Sequence, residues 1–169
     1  MNLLNALAMT TEVIASTVLI LSWLVVMRST RYSKWQVAVI SLPGTFMHKL
    51  LHGLVGLLLF AKPRSFSIVP KRQGDTWVLG SVGFANLNIW NAASVAFAPV
   101  LMLGIGWPLF QYLMLPSCLT SNYLIWLASG YVVACSLFSC MPSATDFEVG
   151  ALSGLMYGSI GFGVWQFFH

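Results

Sequence analysis

The run WQVAVISLPGTFMHKLLHGLVGLLLFA, residues 35–61, decides the reading of the fold. Lys49 is its only Asp, Glu, Lys or Arg side chain, and it stands between His48 and His52. A helix over a run of this length would cross the roughly 30 Å of hydrocarbon in a bilayer. The rest of the chain agrees. Only 7% of the 169 residues are charged and 58% are hydrophobic, with a mean hydropathy of +0.83. A soluble domain carries about 25% charged residues. So few charges cannot cover a water-facing surface, and the solvent expected is lipid. A soluble enzyme, a nucleic-acid reader, a disordered tail and a secreted disulfide scaffold are excluded on this composition. The net charge of +4 comes from eight basic residues, all between Arg28 and Arg72, beside apolar runs. That is juxtamembrane placement rather than a polyanion-binding patch.

Outward from 35–61, a first apolar run covers 3–27 and stops at Arg28, Arg31 and Lys34. It is too long for a signal-peptide core and has no basic segment before it, so it reads as a retained span. Beyond 61 comes the longest polar stretch, 62–91, with Pro63, Pro70 and a Gly74-Asp75 turn signal. Its pieces 65–69 and 76–84 predict strands rather than a helix. A third span is expected over 92–115, kinked at Pro99 and Pro108, and a fourth over 122–141. A break at 142–146 precedes a glycine-rich run over 147–168, where Gly150, Gly154 and Gly158 would admit a neighbouring helix. The expectation is one all-α, multi-pass integral membrane domain over 1–169, with about five transmembrane helices and a short β-prone segment between the second and third. Cys118, Cys135 and Cys140 form no CxxC pair and read as free packing residues. Trp35, Trp77, Trp90, Trp107 and Trp126 suit interfacial anchoring.

His48 and His52 are two of only three histidines, the third being the terminal His169. Four residues apart, they share one helix face at the spacing that lets two imidazoles hold one metal ion. They also lie near mid-span, where ionisable side chains are costly, face the bundle interior and need partners. Two readings stand side by side: a metal site, or histidines that hydrogen-bond neighbouring helices and hold the bundle together. A haem held by this pair is excluded, because one helix face cannot serve both faces of a porphyrin.

His48-Lys49-Leu50-Leu51-His52-Gly53 resembles the HExxH motif of the site-2-protease-like intramembrane zinc metallopeptidases. The order of parts resembles that family from about residue 44 to 150. A motif helix is followed by a β-rich segment, another span carrying Ala98-Pro99, and then an aspartate, Asp146, at a helix break. The resemblance implies zinc held by His48, His52 and Asp146. It also places Asn86, Asn88 and Asn91 where that family binds an extended substrate backbone. The family's glutamate, general base in HExxH chemistry, is Lys49 here. A lysine ammonium cannot accept the proton, so the resemblance implies an impaired peptidase or a pseudopeptidase gripping a transmembrane-helix or extended-peptide partner. If Lys49 is charged it needs a route to water or a carboxylate, from Glu12, Asp146 or Glu148.

Asp146 has a second reading, because Thr145-x-x-Glu148 is a capping-box pattern and Ser143, Thr145 or Asp146 can cap the last helix. The asparagines likewise read as the end of the β-prone segment and the cap of the third span. The alternative function is a structural or assembly subunit of a membrane complex with no metal site. The lack of internal repeats speaks against a transporter.

Overall fold

A computed structural model describes residues 3–29, 36, 39–73 and 76–168. Arg31, Lys34, Trp35, the Gly74-Asp75 turn and His169, along with the Trp77 side chain, lie outside the described residues. The elements run α1 (Leu3–Ser29), α2 (Leu42–Leu58), β1 (Pro63–Gln73), β2 (Thr76–Phe84), α3 (Ala92–Ala96), α4 (Ala98–Leu119), α5 (Tyr123–Ser139) and α6 (Ala144–Phe168).

Local chemistry sets several of these boundaries. α2 starts later than the apolar run that contains it, with Ser41 at its N-cap and Pro43 in its first turn, where a proline's missing N–H costs nothing. It ends with Phe60 in the left-handed region (φ 56°) and the Ala61 N–H donating to Gly56 O at 2.7 Å. That is a Schellman-type close with phenylalanine where glycine is usual. α4 opens with a 3-10 turn at Ala98–Leu101 that contains Pro99. Pro108 removes one backbone donor inside it, and a π-helical turn follows at Phe110–Met114. Irregular turns thus accompany both prolines, in a helix that runs 98–119 rather than 92–115 and has Pro99 in its first turn.

β1 and β2 form an antiparallel hairpin, as the polar segment predicted, with β1 longer than expected. Its register shifts fall between Pro63 and Ser65 and between Ser67 and Pro70. Proline cannot donate to the ladder, which places these irregularities at the two prolines. The hairpin rests on α2, where Phe46 and Phe66 meet edge to face at 6.2 Å.

Two helices, Thr10–Ser29 and Ala98–Leu119, are long and apolar enough to cross a membrane. A third crossing is added if α5 and α6, bent by 59° at their break, count as one. α2, with 17 residues, is shorter. Large apolar side chains face outward, among them Leu58 (75% exposed), Leu124 (79%) and Phe167 (86%). Many interior residues are small or polar: Ala93, Ala96, Ala134, Ser16, Ser129, Ser136 and Ser153 are buried. Several serine hydroxyls bond carbonyls of their own helices, as Ser136 does with Val132 O at 3.0 Å and Ser117 with Leu113 O at 2.6 Å. Small residues at helix contacts and bulky ones outside are compatible with a membrane protein.

Met27, Met114, Val133 and Ala134 form the core where α1, α4 and α5 meet, with Trp23 edge-on to Tyr131 at 5.1 Å. Trp90 and Trp107 are exposed, whereas Trp126 is partly buried and donates to Ser16 Oγ at 3.0 Å, a packing role. The cysteines are free. Gly150 sits against α3: a Cβ there would lie 2.8 Å from Ala96 Cβ. Gly154 only reaches Phe97 at 3.9 Å, and Gly158 meets nothing within 4 Å. The glycine run thus admits α3 at its first member, among the described residues.

Candidate metal centre

The buried stripe of α2 is Gly44, His48, His52 and Gly56. The glycines at its ends let neighbours approach closely. A Cβ on Gly44 would overlap Ser139 Oγ and lie 3.1 Å from Cys135 O of α5, and a Cβ on Gly56 would strike the Phe84 ring. The imidazoles fill the gap between.

Each ring is oriented by a backbone carbonyl of another helix. His48 Nδ1 lies 2.6 Å from Ser139 O at the end of α5, and His52 Nδ1 lies 2.8 Å from Val95 O in α3. A carbonyl oxygen only accepts, so each Nδ1 carries a hydrogen and donates it. The Nε2 atoms are left as acceptors and point at each other, 3.1 Å apart. Two lone pairs at that distance, with no proton between them, repel. A cation, either a metal ion or an added proton, relieves the contact.

Asp146 supplies the third side. Its Oδ1 is 3.4 Å from His52 Nε2 and its Oδ2 is 3.8 Å from His48 Nε2. One ligand atom from each of the three residues falls within 4.8 Å of the others, so the group can hold a metal ion. Bonds of about 2.0–2.2 Å to a tetrahedral ion separate ligand atoms by about 3.3–3.6 Å. The 3.1 Å between the two Nε2 atoms and the 3.4 Å from His52 Nε2 to Oδ1 lie near that range, while the 3.8 Å to His48 Nε2 is measured from the other oxygen, Oδ2. The side chains of His48 and His52 are 9% and 4% exposed and that of Asp146 is 16% exposed, which leaves the aspartate side open. Carbonyl-oriented imidazoles are the usual outer support of a histidine metal site.

Asp146 lies in the first turn of α6, not in the break before it. The cap is Ser143. Its N–H and Oγ both donate to Asp146 Oδ2 at 2.7 Å, and Asp146 N–H returns to Ser143 Oγ at 3.3 Å. This is a reciprocal capping box, Ser143 with Asp146, in place of the Thr145–Glu148 pairing the sequence offered. Capping and facing the histidines are therefore not alternatives: Oδ2 accepts the cap bonds and lies 3.8 Å from His48 Nε2, while Oδ1 faces His52.

Lys49 is next to His48 but on another side of the helix, and it is partly buried. Among the described residues it makes no ion pair within 4.0 Å. Asp146, the carboxylate for which a Lys49 pair would compete with zinc, lies against the histidines instead. Asn86 and Asn88 take part in a tether. Asn86 Nδ2 donates to Phe60 O at 3.1 Å, and Asn88 Oδ1 accepts from the Trp90 and Asn91 N–H groups at 3.0 and 3.1 Å. Asn91 Nδ2 binds Leu59 O at 3.3 Å and Asn86 O at 3.0 Å. The tether ties the end of α2 to the start of α3, and with it the carbonyl that orients His52. Ser143 and Asn91 thus shape the centre; the first stood among the capping candidates and the second among the polar asparagines. The carbonyls of Ser139 and Val95 carry no side-chain signal that a sequence could show.

Compared with protein-family models, with curated proteins and with solved structures, the chain matches none of them.

Proposed function

We propose that this chain is a multi-pass membrane protein with a site-2-protease-like arrangement of about five transmembrane helices, a zinc site at His48, His52 and Asp146, and impaired or no peptidase activity. One observation carries the reading: two imidazoles four residues apart and a carboxylate 94 residues further along gather at one place, with both Nδ1 atoms bonded to carbonyls and both Nε2 atoms free to bind an ion. When bound, zinc supplies polarisation of a peptide carbonyl and acidification of water. The remaining chemistry falls to the chain, and there it is deficient. The position that carries the general base in HExxH is Lys49, whose ammonium donates and does not accept. Losing a general base costs about 10²–10⁴ in rate. Function then shifts towards holding a partner. The two-stranded hairpin offers open edges to which an extended peptide can add as a strand, and Asn86 and Asn88 lie at its foot. The outer half of α6 offers exposed apolar faces to a transmembrane helix.

The test is metal content and peptide cleavage for the wild type, Lys49→Glu, and Lys49→Glu with His48→Ala. The wild type should bind zinc without cleaving. Lys49→Glu should raise occupancy and gain cleavage that the added His48→Ala abolishes. Zinc-dependent cleavage by the wild type would overturn the pseudopeptidase reading. A second reading, a structural subunit without metal, is favoured by the same carbonyl contacts, because they pin α2 to α3 and α5. It predicts a melting temperature that chelators and zinc leave unchanged.

A further inference from the structure

Three contacts fix the direction of α1 against α5, and they come in the same order along both helices. Ser16 Oγ accepts from Trp126 at 3.0 Å, a Cβ on Gly130 would stand 2.9 Å from Leu19, and Trp23 packs on Tyr131. The two helices run parallel. α2 also runs parallel to α5, but further along it. Tyr131 OH donates to Ile40 O at 2.8 Å, a Cβ on Gly44 would stand 3.1 Å from Cys135 O, and His48 Nδ1 donates to Ser139 O. α4 runs the other way, with Gly106 against Ser136 and Met114 against Gly130.

α1 and α2 therefore point the same way, although they follow one another in the chain. Two helices that each cross a bilayer and are joined on one side of it point in opposite directions. α1 ends at Ser29, six residues past Trp23 and so about 9 Å further on, level with the last turn of α5. α2 starts at Leu42, two residues after the Ile40 carbonyl held at Tyr131, which is the middle of α5. It begins deeper in the bundle than α1 ends. From His48 it continues for ten residues, about 15 Å, past the end of α5. Both feet of the hairpin, Pro63 and Phe84, stand at that far end, with the Phe84 ring against Gly56. A helix of 17 residues that starts at half depth has no part on the side where α1 begins.

We propose that α2 is a re-entrant half-span, entering and leaving the bilayer on one side, and that this side faces the anionic headgroups of the cytoplasmic leaflet. The charges carry the second part. With α2 crossing, Arg28, Arg31 and Lys34 face one side and Lys62, Arg64, Lys71 and Arg72 the other, three against four. With α2 re-entrant, all seven fall on one side, and Lys49 alone lies in the helix between them. The opposite side holds the start of α1 and the turn from α4 to α5 at Thr120, and neither carries a lysine or arginine. The basic side of a membrane protein faces the cytoplasm, whose leaflet is anionic. Arg28, Lys62, Arg64 and Arg72 are exposed, as contact with headgroups requires. This inference rests on the membrane reading above and not on the metal, and it makes α2 a half-span among the helices counted there.

The test labels single cysteines with a membrane-impermeant maleimide, in intact and in permeabilised cells expressing the full chain. Cys118 and Cys140 are replaced by alanine, and Cys135 is buried. Ser29→Cys and Ser65→Cys should label only after permeabilisation, and Thr120→Cys in intact cells; all three positions are exposed. Ser29→Cys and Ser65→Cys labelling from opposite sides overturns the half-span. Both labelling in intact cells overturns the cytoplasmic assignment. A charge variant separates the readings independently, with Arg28→Gln, Arg31→Gln and Lys34→Gln combined. A re-entrant α2 leaves four basic residues on the cytoplasmic side, so Thr120→Cys should still label in intact cells. A crossing α2 leaves all four on the other side and inverts the chain, so loss of that label contradicts the proposal. A chain that alkaline carbonate washes off the membrane overturns the membrane reading itself.

Discussion

Gly44→Ala tests the link between helix packing and the candidate centre. The new Cβ would overlap Ser139 Oγ and stand 3.1 Å from Cys135 O. Alanine in place of glycine in a helix is worth about 1 kcal/mol of propensity. Overpacking a close helix contact costs about 1–3 kcal/mol. Relief requires α2 and α5 to separate, which stretches the 2.6 Å contact between His48 Nδ1 and Ser139 O, a bond worth about 1 kcal/mol net. The sum is a loss of about 1–3 kcal/mol, together with a His48 ring no longer held in its tautomer. Zinc affinity should then fall about 10–100-fold, the usual effect of losing an outer partner of a metal histidine. Adding Ser139→Ala removes the overlapping hydroxyl and keeps the carbonyl, so the double variant should recover most of both losses. The assay is thermal unfolding in detergent and zinc titration of the four proteins of the cycle. If Gly44→Ala gains stability and Ser139→Ala changes nothing in its presence, the close contact is not what positions His48.

Ser143→Ala removes the cap hydroxyl and one of the two 2.7 Å donors to Asp146 Oδ2. It should cost about 1 kcal/mol of stability and about 10-fold in zinc affinity, read by melting and titration, whereas Thr145→Ala, exposed on the same turn, should leave both unchanged. Phe60→Gly replaces an exposed residue at φ 56° with the residue that tolerates that region. It should raise stability by about 1 kcal/mol, seen as a higher melting temperature. Zinc affinity should fall as pH drops, because a protonated Nε2 cannot bind the ion. A pH-independent affinity would show that the histidines are not ligands.

Much of this architecture was legible in the residues because it depends on patterns with a physical period. The four-residue spacing of His48 and His52 fixes a shared face on any helix, and the prolines and β-prone residues of 62–91 favour a hairpin over a helix. Pro99 and Pro108 mark irregular turns because a missing N–H leaves no alternative. Boundaries were less legible. The apolar run 35–61 is helical at 36 and 39–40, bends at Ser41, and starts α2 at Leu42, since Pro43 suits a first turn and not an interior. The capping of α6 had three chemically equivalent candidates, and the choice of Ser143 over Thr145 depends on which residue turns its backbone out of the helix. The contacts that orient the histidines go to the Ser139 and Val95 carbonyls, which every residue type possesses and which only the fold can bring to an imidazole. The Asp146 contact was legible only through the family resemblance, because 94 residues separate it from His52.

Equilibrium zinc binding to the purified full chain, measured for the wild type and for His48→Ala, His52→Ala and Asp146→Ala, tests the central claim most directly. The account predicts one zinc per wild-type chain, lost or weakened at least about 100-fold in each variant, as expected when one of three protein ligands is removed. A wild type that binds no zinc, or a zinc affinity that survives Asp146→Ala unchanged, would contradict it.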